Sequence, residues 1–232
     1  QLGPGTYNVN DLVIPRGVMI RGVGYQTRIA SHWKTDRRVL GLRGGRMTQL
    51  RDLKVQATNP DYSSSIIEIR ASEGWFPGGV RYIDNVVVDL ESDLRNNGCC
   101  ISLVDDDGSG IAWFKTADSL LRFAGDAAVT MEVNNGWING NAFKDIAVQD
   151  CRAVLKQHAK NGPCAGNIFR FYGNASPEFD TFMVTDGWNN HYHLQTFDMS
   201  HIETNPVVEN HGSGQYFFFE SGDDRRRARF KD

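Results

Sequence analysis

Short apolar-polar runs follow one another along the whole chain. DLVI (11–14), VMIRG (18–22), RVLGL (38–42), QLRDLKVQA (49–57), SIIEIR (65–70), RYIDNVVVDL (81–90), CCISLV (99–104), AVTMEV (128–133), FKDIAV (143–148), NIFRFYG (167–173), TFMVT (181–185) and QYFFFE (215–220) are rich in β-branched and aromatic residues. Gly, Asn, Asp, Ser and Pro fill the intervals, so the pattern predicts strands and turns throughout. Helix signals are poor. The best is TADSLLRFAG (116–125), where Thr116 offers a cap and Gly125 a stop for one or two turns.

A six-residue frame, hydrophobic-x-x-hydrophobic-x-hydrophobic with an early Asp, recurs at Leu50 (LRDLKV), Ile83 (IDNVVV) and Phe143 (FKDIAV), with a degenerate copy at Phe197 (FDMSHI). If the two long gaps each hide one further copy, the mean spacing is about 29 residues; a match at Phe179 (FDTFMV) falls out of that register. Repeats of this length made of strands alone imply a solenoid or a propeller. Uneven connections such as TNPDYSSS and KQHAKNGPCAG favour a coil whose loops project from its flank. In the stretch NGWINGNAFKDIAVQDC (135–151), Asn and Gly would turn corners while Phe143, Ile146 and Val148 begin the core side.

Totals narrow this little further. The chain has 232 residues, 40% of them hydrophobic and 23% charged, enough for one large all-β domain. A net charge of −3 speaks against a general nucleic-acid binder or an anionic-membrane binder. No apolar run approaches the ~18 residues of a membrane-spanning helix. The opening Gln1-Leu2-Gly3-Pro4-Gly5 reads as the middle of a longer or processed chain. Cys99, Cys100, Cys151 and Cys164 lack paired C-x-x-C spacing and read as small buried hydrophobes, with a Cys151–Cys164 disulfide left open. We expect one domain over 1–222 and a charged tail, DDRRRARFKD, over 223–232 that leads toward a further segment.

The N-terminal stretch LGPGTYNVNDLVIPRGVMIRGVGYQTRIAS resembles the opening coils of the pectate-lyase superfamily, especially those of bacteriophage tailspikes and tail fibres. Pro4-Gly5-Thr6-Tyr7 matches the family's P-x-G-x-Y with one residue fewer, and residues 12–24 match L-x-I-P-x-G-V-x-I-x-G-x-G. Pro15 would end a strand, Gly17 would turn one corner, and Gly22 and Gly24 the next. The likeness is close over residues 2–31 and looser over 134–204. It implies an all-β, right-handed parallel β-helix. It also implies a virion tail protein, extracellular and homotrimeric, that binds and in many members depolymerises capsule or lipopolysaccharide glycans. The alternative is a stand-alone secreted polysaccharide lyase or glycoside hydrolase.

For chemistry, the densest acidic cluster is Asp105-Asp106-Asp107-Gly108-Ser109-Gly110. Glycoside cleavage uses two carboxyls about 5 to 9.5 Å apart. Asp105 and Asp107 share a face on an extended segment, so they are the candidate catalytic pair, with Glu178 and Asp186 as alternatives. The bland alternative is an Asp-Gly turn at a strand end. No cofactor is implied. Calcium would suit these oxygens, but the EF-hand spacing fails because its twelfth position is Thr116. The motifs of polygalacturonases are absent, and no spacing marks Arg152 or Arg170 as a lyase base. EFDTFMVTDGWNNHYH (178–193) sets aromatic faces beside amides and carboxylates, a composition suited to sugars. Trp137, Trp188, His191 and Tyr192 are therefore the candidate substrate-binding residues, with Trp113 a similar candidate. Asp180 and Glu203 are further possible acids.

Overall fold

The computed structural model describes residues 1–31, 35–43, 48–71, 82–90, 96–174, 181–198, 207–220 and 229–231. Strands and turns make up all of them. The first sheet runs through Gly5–Val9, Thr27–Ser31, Gln49–Ala57, Tyr82–Leu90, the pair Lys115–Ala117 and Leu120–Arg122, Ala142–Gln149, Ile168–Asn174, His191–Asp198 and Tyr216–Glu220. The second runs through Leu12–Ile14, Leu40–Arg43, Ser65–Arg70, Cys99–Asp105, Val129–Val133, Leu155–Ala159, Thr181–Thr185, Val207–Asn210 and Arg229–Lys231. A narrow third sheet holds Ile111–Ala112, Ile138–Asn139 and Cys164–Ala165, and single bridges carry it on to Trp188 and Ser213. The chain visits the sheets in turn, and each strand pairs in parallel with the strand one coil away. This is a right-handed parallel β-helix, as expected.

Parallel register stacks like on like inside the coil. On the second sheet Leu40, Ile67, Ile101, Val129, Leu155 and Met183 form one inward column, every member fully buried. Each such side chain contributes about 1.5–3 kcal/mol on burial. On the first sheet the rings of Phe143, Phe169, Tyr192 and Phe217 stack with centroids 5.4, 5.2 and 4.8 Å apart. Phe143, Ile146 and Val148 all face the core, as the sequence predicts.

Register also settles the repeat. Leu50 pairs with Ile83, Ile83 with Thr116 and Thr116 with Phe143, so the first long gap hides one copy, at Thr116. Beyond Phe143 the column passes through Phe169 and Tyr192. Phe197 pairs with Gly173 near the strand end and does not start a copy, and Phe179 lies outside the described residues. The helix expected over 116–125 does not form. The segment is two short strands, Lys115–Ala117 and Leu120–Arg122, hydrogen-bonded to strands on both sides. Asp118 between them has φ 48°, in line with Asp52 (54°), Asn85 (52°) and Asp145 (54°), so a column of left-handed polar residues bends the sheet in four consecutive coils. Asp and Asn tolerate that conformation best among residues with a Cβ.

All four cysteines are free and buried, so Cys151 and Cys164 are not joined. The Cys164 thiol lies 3.4 Å from Gln157 Nε2, while Cys151 points at the carbonyls of Gln149 and Leu121. At the other end of the chain, Arg229–Lys231 of the expected tail pairs in parallel with Val207–Asn210 and extends the second sheet; residues 221–228 lie outside the described set.

Where the third sheet meets the first, the backbone turns and a side-chain amide fills the corner in successive coils, buried at Asn141, Asn167 and Asn190 and half-buried at Gln215. Asn141 Oδ1 accepts the N–H of Phe114 at 2.9 Å, Asn167 Oδ1 that of Asn141 at 3.0 Å, Asn190 Oδ1 that of Asn167 at 2.9 Å, and Gln215 Oε1 that of Asn190 at 3.2 Å. In return Asn141, Asn167 and Asn190 donate to the carbonyls of Ile111, Ile138 and Cys164. Asn167→Ala strands the Asn141 N–H and the Ile138 carbonyl in a dry corner. It should lower unfolding free energy by about 2–4 kcal/mol, read from urea denaturation, with the ~1–3 kcal/mol cost of each buried unpaired group setting the scale.

Candidate functional site

The residues singled out in the sequence lie on different faces. Asp105 ends the strand Cys99–Asp105 with its side chain fully buried. Its Oδ2 accepts the N–H groups of Gly110 and Trp137, both at 2.8 Å, and Oδ1 that of Gly108 at 3.2 Å. Gly136 (φ 125°) admits the carboxylate because a Cβ there would lie 2.1 Å from Oδ2. Burial pushes the Asp105 carboxyl above its ordinary value, against the pull of the three N–H donors. Asp107 sits outside on the same turn, accepting the N–H of Ser109 at 2.9 Å. One carboxylate thus holds the turn and the other faces solvent. Asp186 does a similar job at the same corner three coils on, accepting the N–H groups of Ala159 and Gly187 at 2.8 and 2.6 Å. Glu178, Asp180 and Glu203 lie outside the described residues.

The aromatic candidates also separate. Trp113 and Trp188, 50% and 46% exposed, stand on the third face, and Trp137 packs there on Gly110. His191 is outside the first sheet, stacked on Tyr216 with centroids 4.6 Å apart. Tyr192, one residue on, points inward; it is 1% exposed, packs between Phe169 and Phe217 and donates its hydroxyl to Gln157 at 2.5 Å. Neighbouring strand residues face opposite sides, so His191 and Tyr192 cannot serve one outer surface. Tyr192 is a core residue.

A concave surface lies elsewhere, on the outside of the second sheet. Outward positions run Glu68, Ser102, Thr130 and Lys156 in one register column, and Arg70, Val104, Glu132 and His158 in the next. Small Ser102 and Thr130 form the floor of a groove of about 300 Å³, walled by the turn at Ser63–Ser65 with Asn97 on one side and by Asp106 and Asn134 on the other. Arg70 bridges its wall, bonding Glu68 at 3.1 Å and also Asp106. Asn134 Nδ2 donates to the other oxygen of Asp106 at 2.7 Å. Glu68 further pairs with Arg38, and Asp126 with Lys156. The Ser102 hydroxyl, 2% exposed, has no partner among the described residues. Among the described residues no three His, Cys, Asp or Glu side chains gather to hold a metal ion.

Sequence reading missed this groove because it weighed dense clusters of acids and aromatics. The signal was present as the outward positions of SIIEIR, CCISLV and VTMEV, a coil apart. Burial raises the Glu68 carboxyl, and the hydrogen bonds and charges of Arg70 and Arg38 outweigh it, so the group sits below its ordinary value.

Two outcomes follow. Asp105→Asn turns an N–H donor toward an N–H donor at this turn and should cost about 1–3 kcal/mol in thermal or urea unfolding. Glu68, with its folded value lowered, adds stability in full above its ordinary value of 4.5 and loses it as pH falls through the lowered one. Glu68→Gln should therefore be less stable at neutral pH and show a shallower fall in Tm on acidification, followed by calorimetry. No protein-family model matches the chain, and no curated protein sequence matches it either.

Proposed function

We propose that this chain is the β-helical body of a bacteriophage tailspike or tail fibre and that it binds host-surface polysaccharide along its flank. The groove on the second sheet carries the reading. It spans several coils, is lined by hydroxyls, carboxylates, two amides and an arginine, and lies on a backbone fixed by parallel pairing on both sides. Hydroxyl-rich polymers are recognised by many such polar contacts, each individually small, and a rigid surface loses little entropy in making them. The likeness of residues 2–31 to tailspike coils supplies the biological setting, an extracellular virion tail in which the chain assembles as a parallel homotrimer. Our reading is binding rather than cleavage by Asp105 and Asp107, since Asp105 is committed to three backbone N–H groups.

Binding to a panel of capsular and lipopolysaccharide glycans tests this. Asn97, exposed at the groove wall, should accept Asn97→Trp without loss of fold, and the new ring should lower affinity at least tenfold by filling the groove. Trp188→Ala on the third face should change affinity by less than about twofold. The reverse result would move the site to the tryptophan face, and a chain that binds no glycan would sink the proposal.

A further inference from the structure

We infer that the second-sheet groove selects glycan segments carrying a protonated amine. This rests on the polysaccharide-binding reading and narrows it to a substrate class. Four carboxylates, Glu68, Asp106, Asp126 and Glu132, line the groove against a single lining cation, Arg70. Arg70 is shared between Glu68 and Asp106, Arg38 adds a second cation to Glu68 from outside the groove, and Lys156 at the rim answers Asp126. Glu132 has no ion-pair partner among the described residues and projects outward from the strand Val129–Val133. Its diagonal neighbour on the same face is Ser102, one coil back and one outward position earlier, roughly 8 Å away between Cα atoms by strand geometry.

Ser102 and Glu132 are two groove groups left without a partner among the described residues. A buried hydroxyl without a partner loses its water and gains nothing, so the fold alone does not explain Ser102. A bound sugar hydroxyl reaching the floor would satisfy it. A charged ammonium on the same sugar chain, a donor with no acceptor capacity, would then meet Glu132. A uronate, sulfate or phosphate in that position would instead face an excess of carboxylates. A bare metal ion is a poorer fit, because no three ligating side chains gather among the described residues.

Chitosan and chitin oligomers of equal length share a backbone and differ in amine against acetamide, so they are the probes. Below the amine pKa, calorimetry on the intact chain should show chitosan bound about fivefold more tightly, the effect of one partly exposed charge pair. Glu132→Gln should remove that preference and leave chitin binding unchanged. Ser102→Ala should weaken both oligomers by about twofold or more while its Tm holds or rises, because a merely structural serine would not separate the two readouts. Equal binding of the two oligomers by the wild type, or a preference that survives Glu132→Gln, overturns the inference and leaves glycan binding standing. Unchanged affinity in Ser102→Ala removes the hydroxyl from the site. If neither oligomer nor any glycan of the capsular panel binds, the polysaccharide-binding reading itself falls.

Discussion

A buried amide at a corner is what allows the coils to close on one another. Along a strand the backbone groups pair with the coils above and below, but at a sharp turn the peptide planes rotate and that pairing lapses. A dry corner would then hold orphaned N–H and C=O groups, each costing as much as a lost hydrogen bond. Asn141, Asn167 and Asn190 meet the need with one side chain each, accepting the N–H of one coil and donating to a carbonyl of the same coil. They also bond one another, Nδ2 to Oδ1, at 2.9 and 3.0 Å. The ladder fixes register, because a slip of one residue would take the amides out of the corner and reverse every inward and outward position after it.

Everything downstream depends on that register. Two residues beyond each amide comes a large ring, Phe143, Phe169, Tyr192 and Phe217 in turn, so the aromatic stack is an extension of the ladder. The opposite wall repeats the arrangement with aliphatic side chains. On the outside, the left-handed column of Asp52, Asn85, Asp118 and Asp145 bends the first sheet, and two of its members bond laterally, Asn85 Nδ2 to Asp52 Oδ1 at 2.8 Å. Hydrogen bonds and the charge of Arg21 help hold the Asp52 carboxyl below its ordinary value; the Asn85 amide is the largest influence and burial opposes it.

How far the sequence shows this depends on which side of the backbone a residue occupies. Residues that repeat were readable: Pro15 and Gly17 at a corner, the frames at Leu50, Ile83 and Phe143, and the inward face of FKDIAV. The ladder has a signature too, amide-x-aromatic in Asn141-Ala142-Phe143, Asn167-Ile168-Phe169, Asn190-His191-Tyr192 and Gln215-Tyr216-Phe217, at spacings of 26, 23 and 25 residues. Thr116–Gly125 misleads because Leu120, Leu121 and Phe123 have local helical spacing, whereas pairing to two neighbouring strands is a non-local gain that propensity cannot register. Tyr192 misleads for a different reason. Its aromatic-polar neighbourhood is the same on both faces of the strand, and only the position of Asn190 decides which face is inside.

Site residues are harder to read because the exterior need not repeat. Inside, a coil tolerates only like upon like, since a void or a clash at one level is felt at the next. Outside, Glu68, Ser102, Thr130 and Lys156 follow one another in register with nothing in common. Each outer position sees chiefly its immediate neighbours, as in other stacked repeats, so it can vary while the inner column stays fixed. The groove follows directly from size: two small side chains sit between a glutamate on one side and a lysine on the other, on strands held about 4.8 Å apart. A depression made this way needs no special loop and no strained backbone at its floor. Its rigidity comes from the parallel pairing of its strands on both sides, and its chemistry comes from whichever carboxylate or hydroxyl the neighbouring coils leave without a partner.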